Sequence, residues 1–101
     1  MTLSPSDTFV FFGATGDLAY KKIFPALQAM VLNKELDVPV IGVARDPWSL
    51  DQLRERMRKS LEEHGGLNQA AFDTLSSRLR YVSGEYNDPE TFKALRRARR
   101  D

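Results

Sequence analysis

The sequence predicts an α/β fold, a partial, doubly wound parallel sheet of three strands in the order 3-2-1 with flanking helices. Short apolar runs alternate along the 101 residues with longer stretches whose apolar residues recur at helical spacing. A glycine-containing turn joins the first apolar run to the first helical stretch. Because the runs are separated by helices, right-handed crossovers make the strands parallel.

Composition excludes several classes of protein. Hydrophobic residues make up 42% and charged residues 29% of the chain, and the net charge is +1, which are ordinary values for a globular domain. The absence of cysteine excludes disulfides and zinc-thiolate sites. No secretory signal is visible, and no apolar run approaches the ~20 residues of a membrane span. We therefore expect a cytoplasmic protein without a membrane or nucleic-acid partner.

The first strand is predicted at Thr8–Phe12, after a loose lead-in, Met1–Asp7. Its continuous apolar content is typical of a strand buried on both faces. A helix from Asp17 to Lys34 follows, and Pro25 is expected to bend it because the proline ring removes a helical hydrogen bond. The predicted inner side of this helix consists of Leu18, Ile23, Leu27, Met30 and Val31.

The second strand is predicted at Pro39–Ala44, and Ser49 begins the next helix with a capping box to Gln52. This helix stops at Gly65. Its apolar stripe is Leu50, Leu53, Met57 and Leu61.

Asn68 is expected to cap a short helix, Gln69–Arg78, which leads into a third strand, Arg80–Glu85. Asp88 and Pro89 then supply the cap and the first position of a last helix. Its inward residues are predicted to be Phe92 and Leu95. With only three strands, Thr8–Phe12 becomes an apolar edge strand that is open to pairing.

The turn has the spacing Gly13-x-x-Gly16-x-x-Ala19, that of a Rossmann-like dinucleotide-binding fingerprint with alanine in its last place. Gly13 permits the tight turn, and Gly16 permits close approach of a pyrophosphate. The helix beginning near Asp17 directs its unpaired N–H groups at that anion. The alternative is an ordinary turn, but its position between a strand and a helix favours the nucleotide. A P-loop is disfavoured because no Gly-Lys-Ser/Thr follows.

The residues that end the second strand, Ala44 and Arg45, bear on the choice of cofactor. An acidic residue there binds the ribose 2′-hydroxyl of NAD, whereas an arginine pairs with the 2′-phosphate of NADP. The sequence thus favours NADP, with NAD possible. The alternative is a surface arginine paired with Asp46.

Other polar residues are weaker candidates. The Asp17 carboxylate is expected to turn away from a bound phosphate. Lys22 could reach an anion, Glu85 and Tyr86 end the third strand, and His64 is expected at a helix end rather than in catalysis. The arginines near the carboxyl terminus indicate a solvated helix end more than a nucleic-acid site. They are Arg96, Arg97, Arg99 and Arg100. No metal-ligand cluster or nucleophile–base pair is predicted.

The stretches Gly13–Pro25, Ile41–Arg45 and Tyr81–Tyr86 resemble the amino-terminal part of glucose-6-phosphate dehydrogenases. That family oxidises glucose 6-phosphate to 6-phosphogluconolactone in the pentose phosphate pathway and passes hydride to NADP or, in some members, NAD. The resemblance implies a 2′-phosphate contact at Arg45 and a lysine at the substrate–cofactor junction, Lys22. It also implies an adenosine-side segment, Glu85 and Tyr86, and a pyrophosphate loop of Gly13, Ala14, Thr15, Gly16, Asp17, Leu18, Ala19 and Tyr20.

The sequence departs from the family in two respects. Tyr20 stands where members often have a basic residue. The family's Arg-Ile-Asp-His-Tyr-Leu-Gly-Lys-Glu segment, its catalytic histidine and its substrate domain have no counterpart here. We therefore expect residues 1–101 to be a truncated amino-terminal dinucleotide-binding domain without catalytic residues, inactive alone, whose complete enzyme is a homo-oligomer.

Two other interpretations remain open from the sequence. A stand-alone nucleotide-binding or interaction module would use the open edge of the first strand. An atypical short-chain reductase would need a downstream Tyr-x-x-x-Lys, which the sequence lacks.

Overall fold

The computed structural model describes residues 8–85 and 87–100. The predicted lead-in, Met1–Asp7, lies outside the described residues together with Tyr86, Asp101 and the side chains of Arg99 and Arg100. A π-helical turn, Ala19–Ile23, precedes the first helix. The elements in chain order are β1 (Phe9–Phe12), α1 (Phe24–Leu32), β2 (Val40–Ala44), α2 (Leu50–Glu63), α3 (Gln69–Arg78), β3 (Leu79–Ser83) and α4 (Pro89–Arg100).

The three strands form one parallel sheet in the order β1-β2-β3, which confirms the predicted fold class and strand order. Phe12 is level with Val43, and Ala44 is level with Ser83, so the carboxyl ends of the strands meet at one edge. The strand β3 is Leu79–Ser83, so it begins one residue before the predicted strand, Arg80–Glu85, and ends two residues before it.

Helices cover both faces of the sheet. Val40 and Ala44 of the central strand face the larger core under α1, α2 and α3, while Ile41 and Val43 face α4. The stripe predicted for α2 is confirmed, because Leu53, Met57 and Leu61 are fully buried. No helix within the described ranges is both long and apolar enough to cross a membrane.

The predicted helix caps are present. The Ser49 hydroxyl accepts from the Gln52 N–H at 3.1 Å, and the Gln52 side chain accepts from the Ser49 N–H at 2.7 Å. Asn68 accepts from Ala71 at 3.0 Å, and Asp88 accepts from Glu90 at 2.9 Å. These side chains satisfy N–H groups that a helix start leaves unpaired.

Two predicted burial patterns are wrong. Phe12 is 48% exposed, so β1 is not buried on both faces; α4 packs mainly across β3 and β2. Phe92 is 46% exposed, and the buried residues of α4 are Thr91 and Leu95. Thr91 faces inward because Gly84 leaves room for it: a Cβ on Gly84 would overlap the Thr91 side chain.

Just before Pro25 the regular α-helix is interrupted by the π-helical turn, Ala19–Ile23. Within this turn the Phe24 N–H donates to the Ala19 carbonyl, five residues back. The same spacing would pair a backbone N–H at residue 25 with the Tyr20 carbonyl. Proline lacks that donor. The hydroxyl of Ser60, fully buried on α2, donates to the Tyr20 carbonyl instead.

The additional residue in the π-helical turn also changes which side chains face the core. Ala19 and Phe24 are fully buried, whereas Leu18, placed on the inner side by regular helical spacing, is 66% exposed. A π-turn contains one more residue than an α-turn, so positions before it are rotated relative to those after it. Leu27 is buried as predicted.

We predict that Ser60→Ala lowers the free energy of unfolding by about 1–3 kcal/mol, because it leaves the Tyr20 carbonyl without its donor. Chemical denaturation measures the change. Ser76→Ala is the matched control: the Ser76 hydroxyl is buried without a hydrogen-bond partner among the described residues, so its removal should cost little. Equal losses in the two variants would contradict this role of Ser60.

Candidate functional site

An open cleft of about 720 Å³ lies at the carboxyl-terminal edge of the sheet. In open parallel sheets this edge is where ligands bind, because loops leave the strands there. The last residues of β1 and β2 and residues that follow all three strands line the cleft. They are Phe12, Gly13, Thr15, Gly16, Val43, Ala44, Arg45, Asp46, Gly84, Glu85 and Asn87.

The glycine turn is hydrogen-bonded to the middle strand, β2. The N–H groups of Gly13 and Ala14 both donate to the Val43 carbonyl, at 2.8 and 3.1 Å, and the Gly16 N–H donates to the Gly13 carbonyl at 2.9 Å. Gly13 has φ +74°, a left-handed conformation that favours glycine. A Cβ on Gly16 would lie 3.3 Å from the Gly13 carbonyl oxygen, so the turn also leaves little room for a side chain there.

A glycine that the sequence analysis did not single out holds this turn in place. Gly42 lies in the middle of β2, where a Cβ would be 2.8 Å from Ala14 Cβ and 3.1 Å from the Phe11 ring. The turn can therefore pack directly on β2 only because residue 42 has no side chain. A glycine inside a strand is itself a signal of close backbone approach, and this signal was available in the sequence.

Arg45 and Glu85 meet across the cleft. The Arg45 guanidinium lies 3.7 Å from the Glu85 carboxylate, and the two side chains are 79% and 56% exposed. The alternative prediction paired Arg45 with Asp46, but the structure pairs it with the residue that follows the neighbouring strand.

The loop that carries Arg45 is fixed through the Asp46 carbonyl. This oxygen accepts from the Tyr81 hydroxyl, from the Ser83 hydroxyl at 3.2 Å and from the Trp48 N–H at 2.9 Å. Burial raises the pKa of Tyr81, the nearby Asp46 charge raises it further, and a hydrogen bond with Ser83 partly offsets both effects. Tyr81 therefore remains a protonated donor at neutral pH.

Arg56 of α2 reaches the back of the turn, and sequence reasoning gave it no role. Its guanidinium donates to the Gly16 carbonyl at 3.3 Å and lies 4.6 Å from the centre of the Tyr20 ring. The Tyr20 hydroxyl donates to Glu63, and this hydrogen bond, followed by burial and the Glu63 charge, raises the pKa of Tyr20. Tyr20 thus anchors the turn to α2 rather than lining the cleft.

The other predicted site residues lie around the turn. Thr15 lines the cleft, Ala14 and Ala19 are fully buried, and the side chains of Asp17, Leu18 and Lys22 are exposed. Tyr86 is not among the described residues.

Two observations bear on catalytic and metal chemistry. His64 directly follows α2, and its ring lies nearly perpendicular to the Tyr20 ring, with the two ring centres 5.6 Å apart. Residues 8–85 and 87–100 contain no group of three or more histidine, cysteine, aspartate or glutamate side chains that could hold a metal ion.

Residues 10–101 match the protein family described as "Glucose-6-phosphate dehydrogenase, NAD binding domain". The chain is 40% identical over 90 residues to glucose-6-phosphate 1-dehydrogenase 1 of Mycobacterium tuberculosis, which covers 89% of this chain and 19% of the relative. It is 30% identical over 93 residues to the Bacillus subtilis glucose-6-phosphate 1-dehydrogenase, covering 90% of the chain and 18% of that protein. The chain thus spans about a fifth of the length of these relatives.

Solved structures of the same kind share the fold. The crystal structure of glucose-6-phosphate 1-dehydrogenase from Mycobacterium avium superposes with a TM-score of 0.85 at 44% identity, over 92% of this chain and 21% of that one. A glucose-6-phosphate dehydrogenase in complex with its substrate, glucose 6-phosphate, superposes with a TM-score of 0.84 at 29% identity, over 99% of this chain and 21% of that one.

We predict that Gly42→Ala destabilises the fold by about 1–3 kcal/mol, because the new methyl group overlaps Ala14 and forces the turn away from β2. Denaturant unfolding measures the loss. The double variant Ala14→Gly, Gly42→Ala removes the closest of these contacts and should recover part of the loss. If the double variant loses as much as the sum of the two single variants, the turn does not depend on this contact.

Proposed function

The chain belongs to the glucose-6-phosphate dehydrogenase family, and we propose that it forms the dinucleotide-binding domain of such an enzyme, with NADP as the preferred cofactor. The observation that carries this proposal is the cleft at the carboxyl ends of the three strands. It brings the glycine turn, suited to a pyrophosphate, beside Arg45, suited to a ribose 2′-phosphate.

The turn fits a pyrophosphate by its backbone. The N–H groups of Gly13, Ala14 and Gly16 donate to carbonyls of the protein, so the donors that remain for an anion are the N–H of Thr15 and those at the start of the helical segment, from Asp17 onward. The positive end of the helix dipole favours the negative charge at the same place. A Cβ at Gly13 would meet no atom within 4 Å, so the cleft side of the turn is open to a ligand.

In the complete enzyme, glucose 6-phosphate would pass a hydride to the bound nicotinamide ring, and the oxidised sugar would be 6-phosphogluconolactone. Lys22, exposed in the π-helical turn, matches the family lysine at the substrate–cofactor junction, and its charge suits an anionic sugar phosphate. The same proposal includes three further expectations: the complete enzyme is a homo-oligomer, it is located in the cytoplasm, and residues 1–101 belong to a single amino-terminal domain. One relative, from Solanum tuberosum, is named as a cytoplasmic isoform.

A nucleotide-binding or interaction module without enzymatic activity is the second candidate. It is favoured by the position of β1 at the edge of the sheet and by the 48% exposure of Phe12 at its end. Specific self-association of the purified chain, measured by analytical ultracentrifugation, would support this candidate.

We predict that NADP raises the melting temperature of the chain more than NAD does, because Arg45 pairs with the 2′-phosphate. Thermal unfolding with each nucleotide, followed by the fluorescence of Trp48, measures the difference. Arg45→Gln should remove the preference and cost NADP about tenfold in affinity.

The matched control for Arg45→Gln is Arg58→Gln, which removes the same charge from an arginine that pairs with Glu55 and Glu62 on α2, outside the cleft. It should leave the preference unchanged. A folded wild-type chain that is stabilised by neither nucleotide would contradict the proposed cofactor site.

We also predict that the 101-residue chain does not reduce NADP in the presence of glucose 6-phosphate. Oxidation of the sugar needs a base beside its C1 hydroxyl. The single histidine, His64, directly follows α2 and lies beside the Tyr20 ring instead of the cleft. Absorbance of the reduced nicotinamide at high protein concentration is the measurement, and any turnover above that of a heat-denatured sample would show this prediction to be wrong.

A further inference from the structure

The ribose end of the cleft holds charges of both signs. Arg45 supplies the positive charge, whereas Asp46 and Glu85, which line the same cleft, supply two carboxylates. Of these two, Glu85 forms the ion pair with the guanidinium, at 3.7 Å. Among the described residues that line the cleft, Arg45 is the one cation, and it is therefore already paired with a carboxylate in the structure.

The backbone fixes this arrangement while leaving the side chains free to rearrange. Ala44 and Ser83 are level in the sheet, and the Gly84 N–H continues the ladder by donating to the Ala44 carbonyl at 2.8 Å. Arg45 and Glu85 thus leave neighbouring strands side by side. Their side chains are 79% and 56% exposed, and exposed ion pairs contribute little to stability, so a more highly charged anion displaces the carboxylate readily.

The two cofactors make opposite demands on this pair. The 2′-phosphate of NADP is an anion that must replace the Glu85 carboxylate as the partner of Arg45. It would then lie close to that carboxylate, whose negative charge repels it. The 2′-hydroxyl of NAD is a hydrogen-bond donor, and a carboxylate is its usual acceptor in this kind of fold. That acceptor ordinarily follows the second strand, where Asp46 lies here; Glu85 is a second carboxylate, which follows the third strand and pairs with Arg45.

We infer that Glu85 determines cofactor specificity: its carboxylate competes with the 2′-phosphate of NADP for Arg45 and accepts a hydrogen bond from the ribose 2′-hydroxyl of NAD. The inference rests on the proposed function and extends it. Glu85 lowers the preference that Arg45 creates, so the site accepts both nucleotides with a moderate preference for NADP.

The test is to titrate the wild-type chain and Glu85→Gln with NADP and with NAD, by calorimetry or Trp48 fluorescence. Glu85→Gln should bind NADP about threefold to tenfold more tightly, because a repulsive charge is removed. It should bind NAD more weakly, so the ratio of the two dissociation constants changes by about tenfold. In about 0.5 M salt the gain for NADP should shrink, since ions screen exposed charges, whereas the loss for NAD should persist.

Glu90→Gln is the matched control. Glu90 lies in the first turn of α4 and pairs with Lys93 at 3.3 Å, outside the cleft, so the same change in net charge should leave the ratio unchanged. Circular dichroism confirms that both variants fold.

The outcomes are distinct. If Glu85→Gln changes the affinity for both nucleotides by the same factor, or changes neither, Glu85 has no part in specificity, although the proposed function stands. If the folded wild-type chain binds neither nucleotide, both the proposed function and this inference are wrong.

Discussion

The attachment of the glycine turn to β2 is the constraint on which the candidate site depends. Two consecutive N–H groups, from Gly13 and Ala14, donate to the single carbonyl of Val43, and Gly42 allows Ala14 to rest directly on the strand. The turn therefore has one position relative to the sheet. Because Arg45 follows the same strand two residues after Val43, β2 positions both the proposed pyrophosphate site and the proposed 2′-phosphate contact.

A second constraint acts from behind the turn, through the helical segment that leaves it. Pro25 removes a donor from this segment, which adopts a π-helical turn, and Ser60 of α2 supplies the missing hydrogen bond to the Tyr20 carbonyl. This hydrogen bond from the fully buried Ser60 matters because a buried carbonyl left without a donor destabilises the fold by more than a hydrogen bond contributes to stability. The start of the helix, where an anion would bind, is thus held by α2 as well as by β2.

Local patterns in the sequence predicted the elements and the caps because those signals act over a few residues. The Ser49 capping box, the Asn68 cap and the apolar stripe of α2 all depend on residues that follow one another at a spacing of three or four positions. The exposure of Leu18 and Phe92 could not be predicted in this way. Leu18 is displaced by the additional residue of a π-helical turn, and Phe92 faces outward because Gly84, which follows β3, leaves room for the Thr91 side chain. Likewise, the sequence indicated Arg45 and Glu85 separately, but only the pairing of parallel strands shows that they meet.

Arg56 brings a positive charge close to Tyr20 and to the glycine turn. Tyr20 brings no positive charge to a position where members of the family often have a basic residue. The Arg56 guanidinium lies 4.6 Å from the centre of the Tyr20 ring and donates to the Gly16 carbonyl, which also accepts from the Tyr20 N–H. Because the C=O and N–H of a trans peptide point in opposite directions, holding the Gly16 carbonyl towards the helix directs the Asp17 N–H away from it. Arg56 therefore places a positive charge behind the turn and orients a donor at the end of the helix where a pyrophosphate would lie.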